Sequence, residues 1–176
     1  MLYSDYSAYS IEDMPERWSI PLKKVRLEVE ETVHYDVHSS TSSYEWSGSY
    51  PTDMGSVRFL PGFAAGQISM PHQLHCIESL QEQLRGSGPD FEKIDWAHTD
   101  HCLNYLRQWA LCRADLTLEP GDFTHRDFDM DRQGISYECL DWHAVYDGLA
   151  SDWDTWTTLW VRKRLDRFVL YNGSFK

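Results

Sequence analysis

The sequence lacks an excess of positive charge. Its 16 Lys and Arg residues stand against 28 Asp and Glu residues, which gives a formal net charge of −12 over 176 residues. This sign opposes binding to the phosphate backbone of a nucleic acid or to an anionic membrane surface. The sequence therefore predicts that nucleic acid is not a partner.

Long apolar runs and a basic, apolar leader are also missing. No stretch approaches the roughly 20 apolar residues of a membrane-spanning helix, and residues 1–16 lack the pattern of a signal peptide. We therefore expect a soluble chain. It works in the cytoplasm or, if an N-terminal anchor has been removed, in the lumen of the secretory pathway. The glycosylation acceptor pattern Asn172-Gly173-Ser174 weakly favours the lumen.

Fingerprints of several large enzyme classes are absent as well. The sequence contains no serine-hydrolase elbow, no glycine-rich loop for phosphates and no dinucleotide-binding pattern. Acyl transfer, phosphoryl transfer and nicotinamide chemistry therefore lack support.

The most informative feature that is present is an internal repeat of the pattern His-x-x-His-Cys. The first copy is His72-Gln73-Leu74-His75-Cys76, and the second, 26 residues later, is His98-Thr99-Asp100-His101-Cys102. Apolar residues recur at helical spacing around both copies, so we predict a helix from about residue 70 and a second helix after an N-cap at Asp95. On these helices the histidines fall on one side and Leu74, Ile77 and Leu84 roughly opposite, which predicts an apolar core face behind each histidine face.

The link between the predicted helices decides whether the two motifs meet. In a tight antiparallel hairpin His72 would lie opposite Ala110, far from His98. The 13 residues from 85 to 97 can span more than the length of the first helix. We therefore expect the chain to return and to bring both N-terminal turns together.

Four converging imidazoles predict a metal site with His72, His75, His98 and His101 as ligands. A nitrogen-rich set favours copper, with zinc or iron as the alternative. Iron usually needs a carboxylate ligand, and Asp100 and Glu78 both project away from the histidine faces. Whether one or two ions bind stays open. Further histidines that could add ligands are His34, His38, His125 and His143.

Aromatic residues suggest the surroundings of the metal. Tyr105 falls on the histidine side of its helix, where it could donate a proton or an electron. Tyr44 and Trp46, in a loop rich in Ser and Gly, could form walls of a substrate pocket.

The four cysteines allow three complete pairings. We expect disulfides between Cys76 and Cys102 and between Cys112 and Cys139. In a reduced protein the alternative is that thiolates bind a soft metal.

The expected fold class is α+β. We predict a single domain in which helices carrying the two motifs pack with a small antiparallel sheet, because residues 25–37 alternate as a strand does. Along the chain, residues 1–20 form an N-terminal arm and residues 21–148 the metal-binding domain. Residues 149–176 form a Trp-rich C-terminal helix packed on the same domain.

Residues 57–148 resemble the UstYa-like family of fungal oxidases. The matching stretches are HQLHCIESL, HTDHCLNYLRQWALCRADLTLEP and Glu138-Cys139-Leu140-Asp141-Trp142. The resemblance implies a copper-dependent oxidase of secondary-metabolite biosynthesis that uses molecular oxygen as co-substrate. It would carry out oxidative cyclisation, hydroxylation, desaturation or halogenation of a peptide or another small molecule. The resemblance also implies a homo-oligomer or a homologous partner subunit.

Two other functions compete with the oxidase. Zinc could join the two helices in a structural or binding module without catalysis. Alternatively, a metal-free cyclase could use His and Tyr as acid and base.

Overall fold

A computed structural model describes residues 15–30, 32–59, 64–87, 94–118, 127, 130 and 133–172 of the chain. His125 and most of the predicted N-terminal arm, residues 1–14, lie outside the described residues.

Within these ranges the chain forms short strands and longer helices. In order, these are β1 (Lys24–Glu30), α1 (Ser42–Gly48), a 3-10 turn (Thr52–Gly55), β2 (Ser56–Phe59), β3 (Ala64–Gln67), α2 (Ser69–Ser87), α3 (Trp96–Arg113), β4 (Gln133–Leu140) and α4 (Trp142–Asn172). The strands form two antiparallel pairs, β1 with β4 and β2 with β3. The predicted α+β class is confirmed.

The contacts between residues divide the chain into two compact units. The first, which we call the motif unit, comprises residues 22–50 and 69–141 and contains β1, α1, α2, α3 and β4. The second, the tryptophan unit, comprises residues 1–21, 51–68 and 142–176 and contains β2, β3 and α4.

In the motif unit, strand β1 is shorter than the sequence alternation predicts. It ends at Glu30, and residues 33–38 form bends in which Tyr35 takes a positive φ of 63°. The backbone N–H of Tyr35 donates to Glu45 Oε2 at 2.7 Å. Because an acidic side chain takes the amide that a strand ladder would use, the predicted strand to residue 37 is wrong in this part.

Helix α1 lies inside the segment predicted to be a surface loop. Its Ser42 side chain is fully buried and receives a hydrogen bond from Gln81 Nε2 at 2.8 Å. The same Gln81 Nε2 donates to the backbone oxygen of Asp36 at 3.2 Å. A buried amide of α2 therefore ties both α1 and the preceding bend to the motif unit.

Helices α2 and α3 begin as predicted, and Asp95 caps α3 by accepting a hydrogen bond from the His98 N–H at 3.1 Å. The predicted core face of α2 is wrong, however, at Ile77 and Leu84, which are 40% and 61% exposed. Cys76 and Cys102 of the motifs are instead fully buried. Helical periodicity shows that the faces of a helix differ in polarity but not which face meets the neighbouring helix.

The tryptophan unit has a small apolar core formed by Val57, Val145 and Leu149. The Arg58 guanidinium lies over the rings of Trp153 and Trp156, at 4.9 and 4.3 Å from their centroids. Helix α4 begins at Trp142, before the predicted boundary at residue 149. None of the helices in the described ranges combines the length and the apolar character that a membrane span requires.

Candidate metal centre

The motif unit brings the four motif histidines together. His72 and His75 lie on α2, and His98 and His101 lie on α3. Ring centroids across the two helices are 5.8 Å apart for His72 and His101 and 5.6 Å apart for His75 and His98. The two pairs within one helix are both separated by 6.4 Å. The four rings therefore outline a quadrilateral, which we call the histidine cluster.

The histidine cluster forms through a different helix arrangement from the one we expected. Contacts between α2 and α3 run in antiparallel order: His72 meets His101, His75 meets His98, and Gln83 Oε1 accepts a hydrogen bond from the Asp95 N–H at 3.1 Å. The expectation that the two N-terminal turns come together is wrong. The helices are displaced along their axes, so that His72 faces His101 rather than Ala110.

Two small side chains lie where these helices pack against each other. Cys76 and Cys102 have no exposed surface, and their side chains are hydrogen-bonded to each other. Burial, followed by this hydrogen bond, raises the pKa of Cys76 to about 12. All four cysteines carry free thiols in this structure. The disulfides Cys76–Cys102 and Cys112–Cys139 remain predictions.

Part of the cluster has the composition of a metal site. Within the described residues, one group of His, Cys or acidic side chains could hold an ion: the ligand atoms of His72, Cys76 and His101 all lie within 4.8 Å of one another. A donor set of two imidazole nitrogens and one sulfur suits copper or zinc, whereas iron sites usually add a carboxylate, which this group lacks. The residues present therefore fit copper, given small side-chain rotations that close the group around an ion.

The sequence predicts Cys76 as a metal ligand only in the alternative of a reduced protein. The signal was its position four residues after His72, because residues four apart lie on the same helix face. His75 and His98, both predicted ligands, lie outside the three-residue group.

The environment of the cluster keeps an imidazole available for a metal. Burial lowers the pKa of His72 below its ordinary value of 6.5, and the neighbouring His101, His75 and His98 lower it further. A lower pKa favours the neutral ring, which is the form that coordinates metal.

Tyr105 and Ser79 lie against the cluster. The Tyr105 ring is 4.4 Å from that of His72 and 6.1 Å from that of His101. Ser79 is buried, and its Oγ is hydrogen-bonded to His98 Nδ1 at 3.2 Å. Helical spacing predicts Tyr105 beside the histidines but does not predict Ser79, since a lone serine on a helix carries no signal of its own.

The other candidate residues lie elsewhere. His34 is hydrogen-bonded to Glu45 at 3.0 Å, His38 lies in the bend before α1, and His143 stacks on Trp142 in the tryptophan unit. The proposed pocket walls differ in burial. Tyr44 is 83% exposed, whereas Trp46 packs edge-on against Tyr35 at 5.3 Å.

Comparison with known proteins identifies the family to which this chain is similar. A family model described as mycotoxin biosynthesis protein UstYa matches residues 8–164. The chain is 30% identical over 110 residues to the UstYa family oxidase phomYe of Diaporthe leptostromiformis, covering 57% of this chain and 38% of that protein. It is 34% identical over 96 residues to the oxidase ustYa of Aspergillus flavus, covering 54% of this chain and 45% of that protein.

A third relative is named as a hydroxylase. The chain is 28% identical over 116 residues to the hydroxylase cctR of Talaromyces islandicus, covering 62% of this chain and 40% of that protein. In all three cases the match spans less than half of the relative's length. The comparison with solved structures found no match.

Proposed function

Because the chain belongs to the UstYa family, we propose that it is a copper-dependent oxidase of fungal natural-product biosynthesis. Its substrate is a peptide-derived or other small molecule with an unactivated C–H bond, and molecular oxygen is the co-substrate. The reaction is an oxidative cyclisation, hydroxylation, desaturation or halogenation. Relatives are named as oxidases and as a hydroxylase, which supports oxidation as the reaction class.

The observation that carries this proposal is the convergence of the two motifs in the histidine cluster. His72, Cys76 and His101 would hold the copper ion, with their ligand atoms already within 4.8 Å of one another. Bound copper supplies one-electron redox chemistry with oxygen. Three protein donors leave a coordination position open, which is typical of catalytic sites, whereas structural zinc sites are closed by four protein ligands.

The residues around the cluster have separate tasks in this proposal. Burial and the neighbouring histidines lower the pKa of His72, which favours the neutral ring that binds metal. Tyr105, with its ring 4.4 Å from His72, holds a phenolic proton beside the cluster. Because His101 is exposed, a substrate can approach the cluster from the His101 side.

The test uses the full chain, stripped of metal and then loaded with copper or with zinc. We expect oxygen consumption and a mass change in candidate peptide substrates with copper only. His72→Ala and His101→Ala should each abolish both signals. His38→Ala, which removes an exposed histidine outside the cluster, is the matched control and should retain them.

Other results would point to the competing functions. Equal protein stability with either metal and no turnover would favour a zinc-stabilised binding module. Turnover that survives metal removal would favour a metal-free cyclase that uses acid and base groups.

A further inference from the structure

The sequence repeat produces a nearly two-fold arrangement of side chains. Moving 26 residues along the chain replaces His72 by His98, His75 by His101 and Cys76 by Cys102. This exchange turns the pair His72–His75 on α2 into the pair His98–His101 on α3, and the ring centroids of both pairs are 6.4 Å apart. The two cross-helix pairs also swap, with separations of 5.8 and 5.6 Å. The hydrogen-bonded cysteines exchange with each other, so the pseudo-two-fold axis passes between them.

The sides of the histidine cluster are longer than those of four rings that share one ion. With a metal–nitrogen bond of about 2.0 Å and about 1.2 Å from nitrogen to ring centre, each bound ring centre lies roughly 3.2 Å from the metal. Neighbouring rings on a four-coordinate ion are then about 4.5–5.2 Å apart. All four sides of the cluster exceed this, at 5.6, 5.8, 6.4 and 6.4 Å.

The cross-helix pairs, in contrast, match the spacing of two rings on one ion. Two ligands at 120° on a three-coordinate ion have ring centres about 5.5 Å apart, and the greatest separation possible, at 180°, is about 6.4 Å. The pairs His72–His101 and His75–His98 lie near the first value, at 5.8 and 5.6 Å. The same-helix pairs, at 6.4 Å, already lie at the upper limit. The ring spacings therefore favour chelation across the helices over chelation within one His-x-x-His motif.

The two cross-helix pairs have different surroundings. Cys76 completes a three-donor group with His72 and His101, and among the described residues no second such group exists. Tyr105 lies on that side, 4.4 Å from His72. Its counterpart 26 residues earlier is Ser79, which is hydrogen-bonded to His98 Nδ1 at 3.2 Å. The two copies of the repeat therefore carry different residues, Tyr105 and Ser79, at the position that contacts a histidine ring of the other helix.

We infer that the histidine cluster binds two metal ions in unequal half-sites. The first half-site is formed by His72, Cys76 and His101 and provides two imidazoles and a thiolate. The second is formed by His75 and His98 and provides two imidazoles. Because Ser79 is hydrogen-bonded to Nδ1 of His98, the Nε2 atom of His98 is the one left for the metal. This inference rests on the proposed function for the identity of the native metal as copper, whereas the number and inequality of the half-sites are argued from the ring spacings and the three-donor group.

The test is an anaerobic titration of the metal-free full chain with cobalt(II), followed by its absorption spectrum and by metal analysis after desalting. Thiolate ligation to cobalt(II) produces a charge-transfer band that imidazole ligation does not. We expect two ions per chain, with the thiolate band complete after the first equivalent and absent from the second step.

Matched variants separate the two half-sites. Cys76→Ser should abolish the thiolate band, whereas Cys102→Ser should keep it. His98→Ala should leave one ion per chain with the band intact, and His72→Ala should leave one ion per chain without the band. Far-ultraviolet circular dichroism establishes that each variant is folded, and the stoichiometry of the unsubstituted chain decides the question without any variant.

One ion per chain in the unsubstituted protein, lost in both His72→Ala and His98→Ala, would overturn the inference in favour of a shared site. A thiolate band that disappears in Cys102→Ser but not in Cys76→Ser would overturn the assignment of the half-sites. Two cobalt ions per chain together with copper-loaded protein that consumes no oxygen would refute the oxidase proposal and leave the two half-sites standing. Oxygen consumption by protein with a single bound ion would refute the two half-sites and leave the oxidase proposal standing.

Discussion

Tyr105 and Ser79 are single side chains that lie directly against the histidine cluster. Both contact an imidazole of the cluster, Tyr105 through its ring and Ser79 through its hydroxyl. They differ in what they provide, because a phenol can give up a proton or an electron, whereas a serine hydroxyl orients a neighbouring group. Substitution should therefore separate turnover from metal binding.

Replacing Tyr105 by Phe should affect catalysis and not metal binding. The ring contact with His72 is retained while the hydroxyl is lost. If this hydroxyl transfers a proton in the reaction, kcat should fall by roughly 10²-fold or more. The measurement is steady-state oxygen consumption of copper-loaded protein beside metal analysis. Unchanged kcat in Tyr105→Phe would show that Tyr105 only packs against the cluster.

Replacing Ser79 by Ala should weaken metal binding at His98. Partners that orient a ligating histidine typically affect metal affinity by about 10–100-fold when removed. Ser79→Thr keeps a hydroxyl and should restore most of the affinity, so the pair separates hydrogen bonding from packing. Cobalt(II) affinity and the nitrogen-15 chemical shifts of His98 report the effect. Equal affinities in Ser79→Ala and the parent protein would exclude a positioning role.

At the scale of elements, the Glu45 carboxylate holds the first part of the bend before α1. Glu45 accepts hydrogen bonds from His34 and from the Tyr35 N–H, at 3.0 and 2.7 Å. The hydrogen bond from His34, followed by that from Tyr35, lowers the pKa of Glu45 below its ordinary value of 4.5. Tyr35 keeps its positive φ of 63° while the carboxylate holds its amide.

The pH dependence of this bend follows from the direction of the pKa shift. A group whose pKa is lower in the folded state binds fewer protons there, so its stabilising contribution is fully present above pH 4.5. It is lost as the pH falls through the lowered pKa. We expect the Tyr35 amide resonance to move to its unbonded position over that acidic range. In Glu45→Gln the resonance should show no such transition, and a parent-like titration in that variant would contradict the assignment.

A helix contact in the tryptophan unit gives a test of packing. A Cβ placed on Gly148 would lie 2.7 Å from the Trp18 ring, whereas one placed on Gly86 of α2 would meet nothing within 4 Å. Gly148→Ala should therefore destabilise the protein by about 1–3 kcal/mol through overpacking. Gly86→Ala, the matched control, should stabilise it by about 0.5–1 kcal/mol because alanine favours helix.

Urea unfolding followed by tryptophan fluorescence measures both glycine variants. A gain in stability for Gly148→Ala equal to that for Gly86→Ala would mean that the Trp18 ring moves aside without cost. In that case the contact would not restrain α4.

At the scale of the whole molecule, the proposed metal binding and the predicted Cys76–Cys102 disulfide would compete for the same sulfur. Cys76 lies in the three-donor group and is also hydrogen-bonded to Cys102. A bridge between the two cysteines would remove the thiolate from the metal. The oxidation state of this pair therefore decides which donors the protein offers.

We expect metal loading to protect this pair from oxidation. Metal-free protein exposed to an oxidising thiol–disulfide buffer should form the Cys76–Cys102 bridge, and metal-loaded protein should keep both thiols reduced. Alkylation after denaturation, followed by peptide mass spectrometry, distinguishes the two forms. Cys112 and Cys139 lie outside the three-donor group, so their oxidation should be the same with and without metal. Bridging of Cys76 at equal rates in both samples would argue against Cys76 as a ligand.

The sequence by itself determined the parts of this protein that depend on local spacing. Helix α2 near residue 70, the Asp95 cap of α3 and the α+β class were predictable, because helical periodicity and capping act over a few residues. The repeated motif identified which side chains converge. It did not show that the strand would stop at Glu30, since the competing carboxylate of Glu45 comes 15 residues later.

Only the tertiary structure decided how the two motifs meet. The antiparallel displacement of α2 and α3 pairs His72 with His101 and buries Cys76, while Ile77 stays exposed. These outcomes depend on which helix faces approach each other, and the spacing of residues along one helix does not specify its partner. The different contacts of Tyr105 and Ser79 could not be predicted for the same reason, since each of these residues contacts a histidine of the other helix.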